Sequence, residues 1–369
     1  MWNVIEKGSK KSSLAERYKI SCHIILSLMR EHFHRENIHE TPCDQVTYLL
    51  RDRGFNIFLK KEVHQITNSV KARGVVYTLQ QLSDQQKRKG VITISTGSFA
   101  YTLCHFGKKF KTLVTVVMPL STADETINMC RDLGATVLNY ASDMVEAHNI
   151  ALRIAREKGL VYIDGNDHPN MIIGQATLGI EILKTLPNVD AVILPTTIDG
   201  CGLTAGIAMA IKGCNPDVMI IEVQSAETDP LIKTIRRNSM FNNELAIPVT
   251  NYAWHKDDRG IMQNLFDTIV YVKHTFVQVA VNFLRQKENV TDFNTAIGLA
   301  AIISGELDEL MGKRVVIPVF GKMDSYSELT TNNLSFFSCP GPSYLNRQLY
   351  ISKQMVDKEE SQDMYLAHI

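Results

Sequence analysis

In the segment Thr67-Asn68-Ser69-Val70-Lys71-Ala72-Arg73-Gly74 one lysine stands between small polar residues and a glycine, where a charged run gives way to helix-like text. Such a lysine is either a surface charge or the amine that a cofactor needs, and for a lysine taken at random the exposed charge is the commoner case. A second stretch, "LPTTIDGCGLTAG" (194–206), sets Gly200, Gly202 and Ala205 in G-x-G-x-x-A spacing after a strand, with Glu222 near the end of the next strand. That arrangement imitates a dinucleotide-binding fingerprint and so admits a nicotinamide-dependent dehydrogenase. The match is weak, because Thr196 to Asp199 separate the strand from the first glycine, and a glycine turn that starts the helix "LTAGIAMAI" accounts for the spacing equally well.

The elements that must position these residues follow a βα rhythm from about residue 90. Short β-branched runs at 91–95, 112–118, 135–140, 160–163, 191–195, 218–223, 268–272 and 314–319 read as strands, each too apolar for a strand with one wet face. Helices are expected near 99–109, 122–132, 143–158, 170–185, 203–213, 275–287 and 295–311, several opening at Ser, Thr, Asp or Asn. Alternation of this kind predicts an α/β fold with parallel sheets. Before residue 90 the order is a helical piece near 15–35, a turn at Thr41-Pro42, a helix near 44–52 and the strand "NIFLKKE"; residues 323–369 form a polar C-terminal tail.

Composition narrows the function classes. The 369 residues carry 39 basic and 39 acidic side chains, and no long block of like charge offers a footprint for nucleic acid or an anionic membrane. Seven scattered cysteines, never in CxxC spacing, argue against a disulfide framework or a structural zinc site and read as reduced thiols. With no signal-peptide core and no run of ~20 apolar residues, the expectation is a cytoplasmic protein with a small neutral or zwitterionic partner.

From Thr41-Pro42 to about Asp324 the chain resembles the fold-type II pyridoxal-phosphate enzymes, specifically the serine/threonine dehydratase and serine racemase group. The family's segment Leu-Lys-x-Glu-Asn-Leu-Gln-Pro-Thr-Gly-Ser-Phe-Lys-x-Arg-Gly stands without a gap as residues Leu59 to Gly74, and Lys71 falls on the Schiff-base lysine. In "YIDGNDHPNMIIGQATLGIEIL" (162–183), Asp167, Pro169, Gly174, Gln175 and Thr177 match the family's Asp-x-Pro and Gly-Gln-Gly-Thr stretch. The resemblance implies a tryptophan-synthase-β-like α/β fold with two parallel-rich open-sheet lobes. A large lobe would comprise 1–80 plus 168–322 and a small inserted one 81–167, the cofactor cleft between them being lined by Lys71, the 95–99 turn and the 196–202 loop.

The same resemblance assigns the walls of the site. Where the family has Ser-(Ser/Ala)-Gly-Asn-His this chain has Ser95-Thr96-Gly97-Ser98-Phe99, so Ser98 takes the place of the amide that contacts the cofactor's O3′ and Thr96 that of a racemase serine. Ser95, Thr96 and Gly97 are the implied substrate-binding turn. The glycine-rich phosphate loop corresponds to "TTIDGCG", two residues longer and keeping Gly200 and Gly202; Val319 falls opposite the pyridine nitrogen, and Asp292, in "TDFNTA", corresponds to the acidic residue of the family's Glu-Pro-Ser-Gly. Gln224-Ser225 replaces the Glu-Pro turn that builds a divalent-cation site in some relatives, so no metal is expected.

Two activities follow from the resemblance. One is a pyridoxal-phosphate-dependent ammonia-lyase of L-serine or L-threonine, giving a 2-oxo acid and ammonia, with Lys71 and Thr96 as catalytic residues. The other is a catalytically inactive dehydratase-like paralogue that acts as a binding or regulatory subunit. The implied assembly is a homodimer, or a pairing with an active paralogue.

Overall fold

The computed structural model describes residues 38–46, 54–195, 202–225, 265–290 and 293–321. Among the described residues ten strands run in chain order: β1 (Cys43–Gln45), β2 (Asn56–Lys61), β3 (Val91–Ile94), β4 (Val114–Pro119), β5 (Thr136–Ala141), β6 (Val161–Tyr162), β7 (Ala191–Pro195), β8 (Met219–Ser225), β9 (Thr268–Val272) and β10 (Arg314–Val319). The helices are α1 (Lys71–Gln80), α2 (Asp84–Lys89), α3 (Ser98–Lys109), α4 (Asp124–Asp132), α5 (Met144–Lys158), α6 (Pro169–Thr185), α7 (Gly202–Cys214), α8 (His274–Glu288) and α9 (Phe293–Ile303). None of the described helices is long and apolar enough to cross a membrane.

Two sheets result. One has six strands in the order β1-β2-β10-β7-β8-β9, parallel except for β1 against β2; the other has four parallel strands in the order β5-β4-β3-β6. The central strands β7 and β10 are apolar and buried almost throughout, as a parallel strand covered on both faces must be. Two of the expected doubly covered strands are not: β5 is largely half-buried or exposed, and β9 turns Ile269 and Tyr271 to solvent, 49% and 54% exposed. Both lie at sheet edges, where one neighbour is missing and one face can stay wet.

Two further expectations are corrected. Residues 43–45, placed in a helix near 44–52, pair antiparallel with β2 through Cys43 opposite Lys60, and 47–53 lie outside the described residues. The helix expected over 295–311 ends at Ile303; Gly305 follows at φ 86°, and a short 3₁₀ turn occupies Asp308–Leu310. The 15–35 piece and the 323–369 tail also lie outside the described residues.

α1 and α6 cross at van der Waals limits. A Cβ on Gly174 would stand 2.5 Å from the Arg73 carbonyl oxygen and 2.7 Å from Gly74 Cα, so this crossing admits only glycine. The apolar face of α1, through Ala72, Val75, Val76 and Leu79, joins Val91, Phe99, Leu103, Val114 and Val116 in the core beside the four-stranded sheet.

Beneath this crossing lies a buried ionic cluster. Arg73 donates through Nε and Nη2 to the two oxygens of Glu62, both at 2.8 Å, and pairs with Glu181 Oε2 at 2.8 Å. Lys60 Nζ meets Glu181 Oε1 at 2.6 Å, and Thr41 donates its hydroxyl to Glu62 Oε1 at 2.6 Å and its backbone N–H to Glu181 Oε1 at 2.7 Å. Burial alone would raise the Glu181 carboxyl, but Arg73 and Lys60, with hydrogen bonds from Lys60 and Thr41, outweigh it and hold that group below the usual carboxylate range. Two cations and two anions balance, which is how four charges tolerate an interior.

Candidate functional site

The chain enters α1 under constraint. Asn68 takes φ 53°, a left-handed value that asparagine tolerates, and then Val70 N–H donates to Phe320 O at 2.8 Å while Ser69 bridges Gly321. The start of α1 is thereby pinned to the chain leaving β10. Positions two apart on a helix face opposite ways, so with Arg73 locked into the ionic cluster Lys71 is directed away from it.

What Lys71 meets comes from the loop after β6. Its Nζ donates to Gly165 O at 2.8 Å and to Asn166 Oδ1 at 2.7 Å. That loop is shaped by Asp164, whose Oδ1 accepts the N–H groups of Asn166 at 2.7 Å and Asp167 at 2.9 Å, an aspartate turn that presents the next carbonyl and amide outward. Phe99 fixes the loop from the other side: a Cβ on Gly165 would lie 2.4 Å from the Phe99 ring. An amine on one element is thus held by acceptors whose geometry a carboxylate and an aromatic ring dictate.

Behind the loop, His148 Nδ1 lies 3.0 Å from the Tyr162 hydroxyl. Burial lowers His148 and raises Tyr162, and it pushes His168 down to about 4 despite the nearby Asp164, so these groups are neutral near pH 7. His168 caps α6, its Nδ1 accepting the Asn170 N–H at 3.2 Å just before Pro169 opens the helix.

The 95–99 turn lies next to α1. Ser98 Oγ is 3.4 Å from Ser69 Oγ, and Ser69 Oγ in turn accepts the Lys71 N–H at 3.3 Å. Ser95 Oγ accepts the N–H groups of Gly97 and Ala100, both at 3.2 Å, folding the turn into the first turn of α3. Gly97 caps that helix without a side-chain bond, and a Cβ placed on Gly97 meets nothing within 4 Å, so open space adjoins the start of α3. Thr96 sits in the middle of this half-buried turn.

The remaining candidates fall as follows. Gly202 begins α7 beneath the same loop: its N–H donates to Asp167 Oδ1 at 2.9 Å, and a Cβ there would lie 2.3 Å from Asn166 O. Val319 is buried at the end of β10 and lines a cavity of 250 Å³ with Lys61, His64, Asn68 and Glu288. Gly200 and Asp292 lie outside the described residues. Lys71 and Gly202 therefore meet at one loop, 164–167, and Ser98 reaches Ser69 at the start of α1, whereas Val319 lines a cavity that includes none of them. Gly165 and Asn166 were not among the expected site residues; their signal was proximity to the Asp167–Pro169 match, which marks the loop without saying which atoms face Lys71.

Comparison with known proteins adds to this geometry. A family model described as "Pyridoxal-phosphate dependent enzyme" matches residues 34–321. The chain is 31% identical over 289 residues to the L-threonine ammonia-lyase of Thermotoga maritima, covering 77% of this chain and 71% of that one. It is 31% identical over 293 residues to the catabolic L-threonine dehydratase TdcB of Staphylococcus aureus, covering 77% and 84%. Among solved structures, the processed form of threonine deaminase isoform 2 from Solanum lycopersicum superposes with a TM-score of 0.70 at 25% identity, over 89% of this chain and 95% of that one. Maize serine racemase superposes with a TM-score of 0.69 at 22% identity, over 85% and 96%.

Proposed function

Since the chain belongs to the pyridoxal-phosphate dependent enzyme family, we propose that it is an ammonia-lyase that converts L-threonine or L-serine to the 2-oxo acid and ammonia. The observation that carries this reading is the Lys71 amine of a half-buried residue, held by Gly165 O and Asn166 Oδ1, with the Ser69 hydroxyl on the Lys71 backbone N–H and Ser98 next to Ser69. An amine confined in this way, with open space over Gly97, fits a carbonyl-bearing cofactor. Lys71 would hold the cofactor, with Ser98, Gly200 and Gly202 contributing polar contacts and Val319 adding an apolar wall toward its pyridine nitrogen. Bound there, pyridoxal phosphate would supply the electron sink that makes the substrate α-proton acidic.

The residues of the chain do the rest. In this reading Lys71 Nζ takes the proton from the substrate α-carbon, and Gly165 O and Asn166 Oδ1 steady the resulting ammonium. Ser95, Thr96 and Gly97 bind the substrate carboxylate at the start of α3, where backbone N–H groups and the helix dipole favour an anion. The Thr96 hydroxyl lies within that turn to orient the β-substituent, while Phe99 keeps water from the far side of the loop. Asp292 contributes a carboxylate, and residues 1–80 plus 168–322 and 81–167 form the two lobes that meet at this cleft. A homodimer is the assembly that the resemblance supports.

A second reading, an inactive paralogue that binds or regulates, is favoured by one contact: the first N–H of α7, which a phosphate would use, already serves the Asp167 carboxylate. One experiment decides between them. Purified protein is titrated with pyridoxal phosphate, followed by visible absorbance, reduced with borohydride and mapped, and then assayed for 2-oxo acid from L-threonine and L-serine. A label on Lys71 with turnover supports the lyase; a folded protein with neither label nor turnover supports the paralogue.

A further inference from the structure

Away from the cleft, α3 ends in a turn that its backbone does not favour. Lys111 N–H donates to Lys108 O at 3.3 Å and Thr112 N–H to Gly107 O at 2.8 Å, the two bonds of a Schellman cap, with Lys111 in the position that glycine usually fills. Lys111 takes φ 55° there, a left-handed value at which a side chain crowds the following carbonyl oxygen. Lys108 and Lys109 already lie in the last turn of α3, where cations offset the negative end of the helix dipole. Lys111 stands past that end, at a position where glycine would be easier on the backbone.

The turn borders a cavity of 270 Å³. Lys108 and Lys111 line it from exposed positions, and among the described residues neither pairs with a carboxylate and no Asp or Glu lines the cavity. Its other walls are mostly apolar, with Cys104 on α3 facing Leu133 and Ala135 from the turn after α4. Thr112 also lines it, 4% exposed, and its hydroxyl has no hydrogen-bond partner among the described residues. Such a hydroxyl is a donor for a ligand that brings an acceptor. Two cations, one hydroxyl and apolar walls without an anion select a small molecule with one anionic end and an apolar body. An ammonium would find no counter-charge, and a bare inorganic anion would leave the apolar walls uncovered.

We propose that this cavity binds a short-chain aliphatic carboxylate, its anionic end between Lys108 and Lys111 and its chain over Leu133 and Ala135. Lys111 holds its left-handed position, against the preference of the backbone, because its charge is needed at the mouth of the cavity. The Thr112 hydroxyl donates to the same carboxylate. No residue assigned to the cleft lines this cavity, so the inference does not depend on the reading given above.

The test uses the full chain and hexanoate as the probe, titrated by calorimetry beside hexylammonium, neutral hexanamide and inorganic phosphate. Hexanoate should saturate a single site and the other three should not. Lys111→Gly should raise the melting temperature of the ligand-free protein, because glycine adopts φ 55° without strain. The same substitution should weaken hexanoate binding about fivefold, since it removes one charge-assisted hydrogen bond. Thr112→Val keeps the shape of the side chain without its hydroxyl and should weaken binding about threefold. Hexanoate affinity unchanged in both variants would place the probe elsewhere and overturn the proposal, as would no saturation by hexanoate or equal binding of hexylammonium or phosphate. Should Lys111→Gly fail to fold, Lys108→Gln answers the same question from the other lysine.

Discussion

Lys71 Nζ and Asn166 Oδ1 stand 2.7 Å apart, an amine at the first position of α1 against an amide in the loop after β6. A neutral amide accepts from the amine without adding a charge beside it. Asn166→Asp keeps the shape but adds an anion at that distance, which favours the charged ammonium over the neutral amine. If Lys71 carries the cofactor, the pH midpoint for developing the visible band with pyridoxal phosphate should move up. An unchanged midpoint would separate Lys71 from the titrating amine.

The ionic cluster makes a stability prediction. Glu62→Ala removes both acceptors of the Arg73 fork and one partner of Thr41, leaving a buried guanidinium with only Glu181 among the carboxylates described. Breaking a buried pair on one side costs about 3–5 kcal/mol, so the urea midpoint should fall sharply. A loss under about 1 kcal/mol would mean that water reaches Arg73.

Gly165→Ala should disturb the loop through Phe99. The new Cβ would stand 2.4 Å from the ring, so either the ring or the loop must move, at about 1–3 kcal/mol. Because Gly165 O accepts from Lys71 Nζ, cofactor labelling of Lys71 should fall as well. Phe99→Leu added to Gly165→Ala should recover part of both losses, and strict additivity of the two substitutions would argue against the contact.

His168 gives a pH signature. Its folded-state value near 4 lies below the ordinary 6.5, so between those values the unfolded chain binds more protons than the folded one. Stability from this group is complete above about pH 6.5 and is lost as pH falls toward 4, by at most about 3 kcal/mol. Glu181 acts in the same direction at lower pH, its carboxyl being held down by Arg73 and Lys60 against the opposing effect of burial. His168→Asn keeps a side chain that can cap α6 and removes the imidazole, so the slope of melting temperature against pH over this window should flatten.

Val319→Ser places a hydroxyl at the end of β10, the position that the resemblance sets opposite the cofactor's ring nitrogen. In the lyase reading, a donor facing the cofactor's ring nitrogen should tighten pyridoxal phosphate binding about tenfold, the equivalent of ~1.4 kcal/mol. Equal or weaker binding would place Val319 away from the ring.

How much of this was legible in the sequence depends on range. β7, β9 and β10 match the expected runs residue for residue, because each run is β-branched and bounded by turn residues. β1 was missed because three residues carry no periodicity and pair only through their neighbour β2. The short helix α2 went unmarked although Ser83 and Gln86 form a capping box, a signal that is local and readable. Lys60, Glu62 and Arg73 stand in the segment from Leu59 to Gly74, yet their partner Glu181 lies 121 residues beyond Lys60, and no local pattern joins them. Gly165 and Asn166 were invisible as partners of Lys71 for the same reason.

α1 ties its first residues to the strand end at Phe320 and Gly321, while its apolar face completes the core of the other sheet. Residues 81–167 are therefore not an exchangeable cassette. A graft of that segment from a relative would arrive with half of its floor missing, the half made by Ala72, Val75, Val76 and Leu79, and would have to bring its own α1 to fold. A chimera with its junction before Asn68 should be recovered soluble where one with its junction at residue 81 is not.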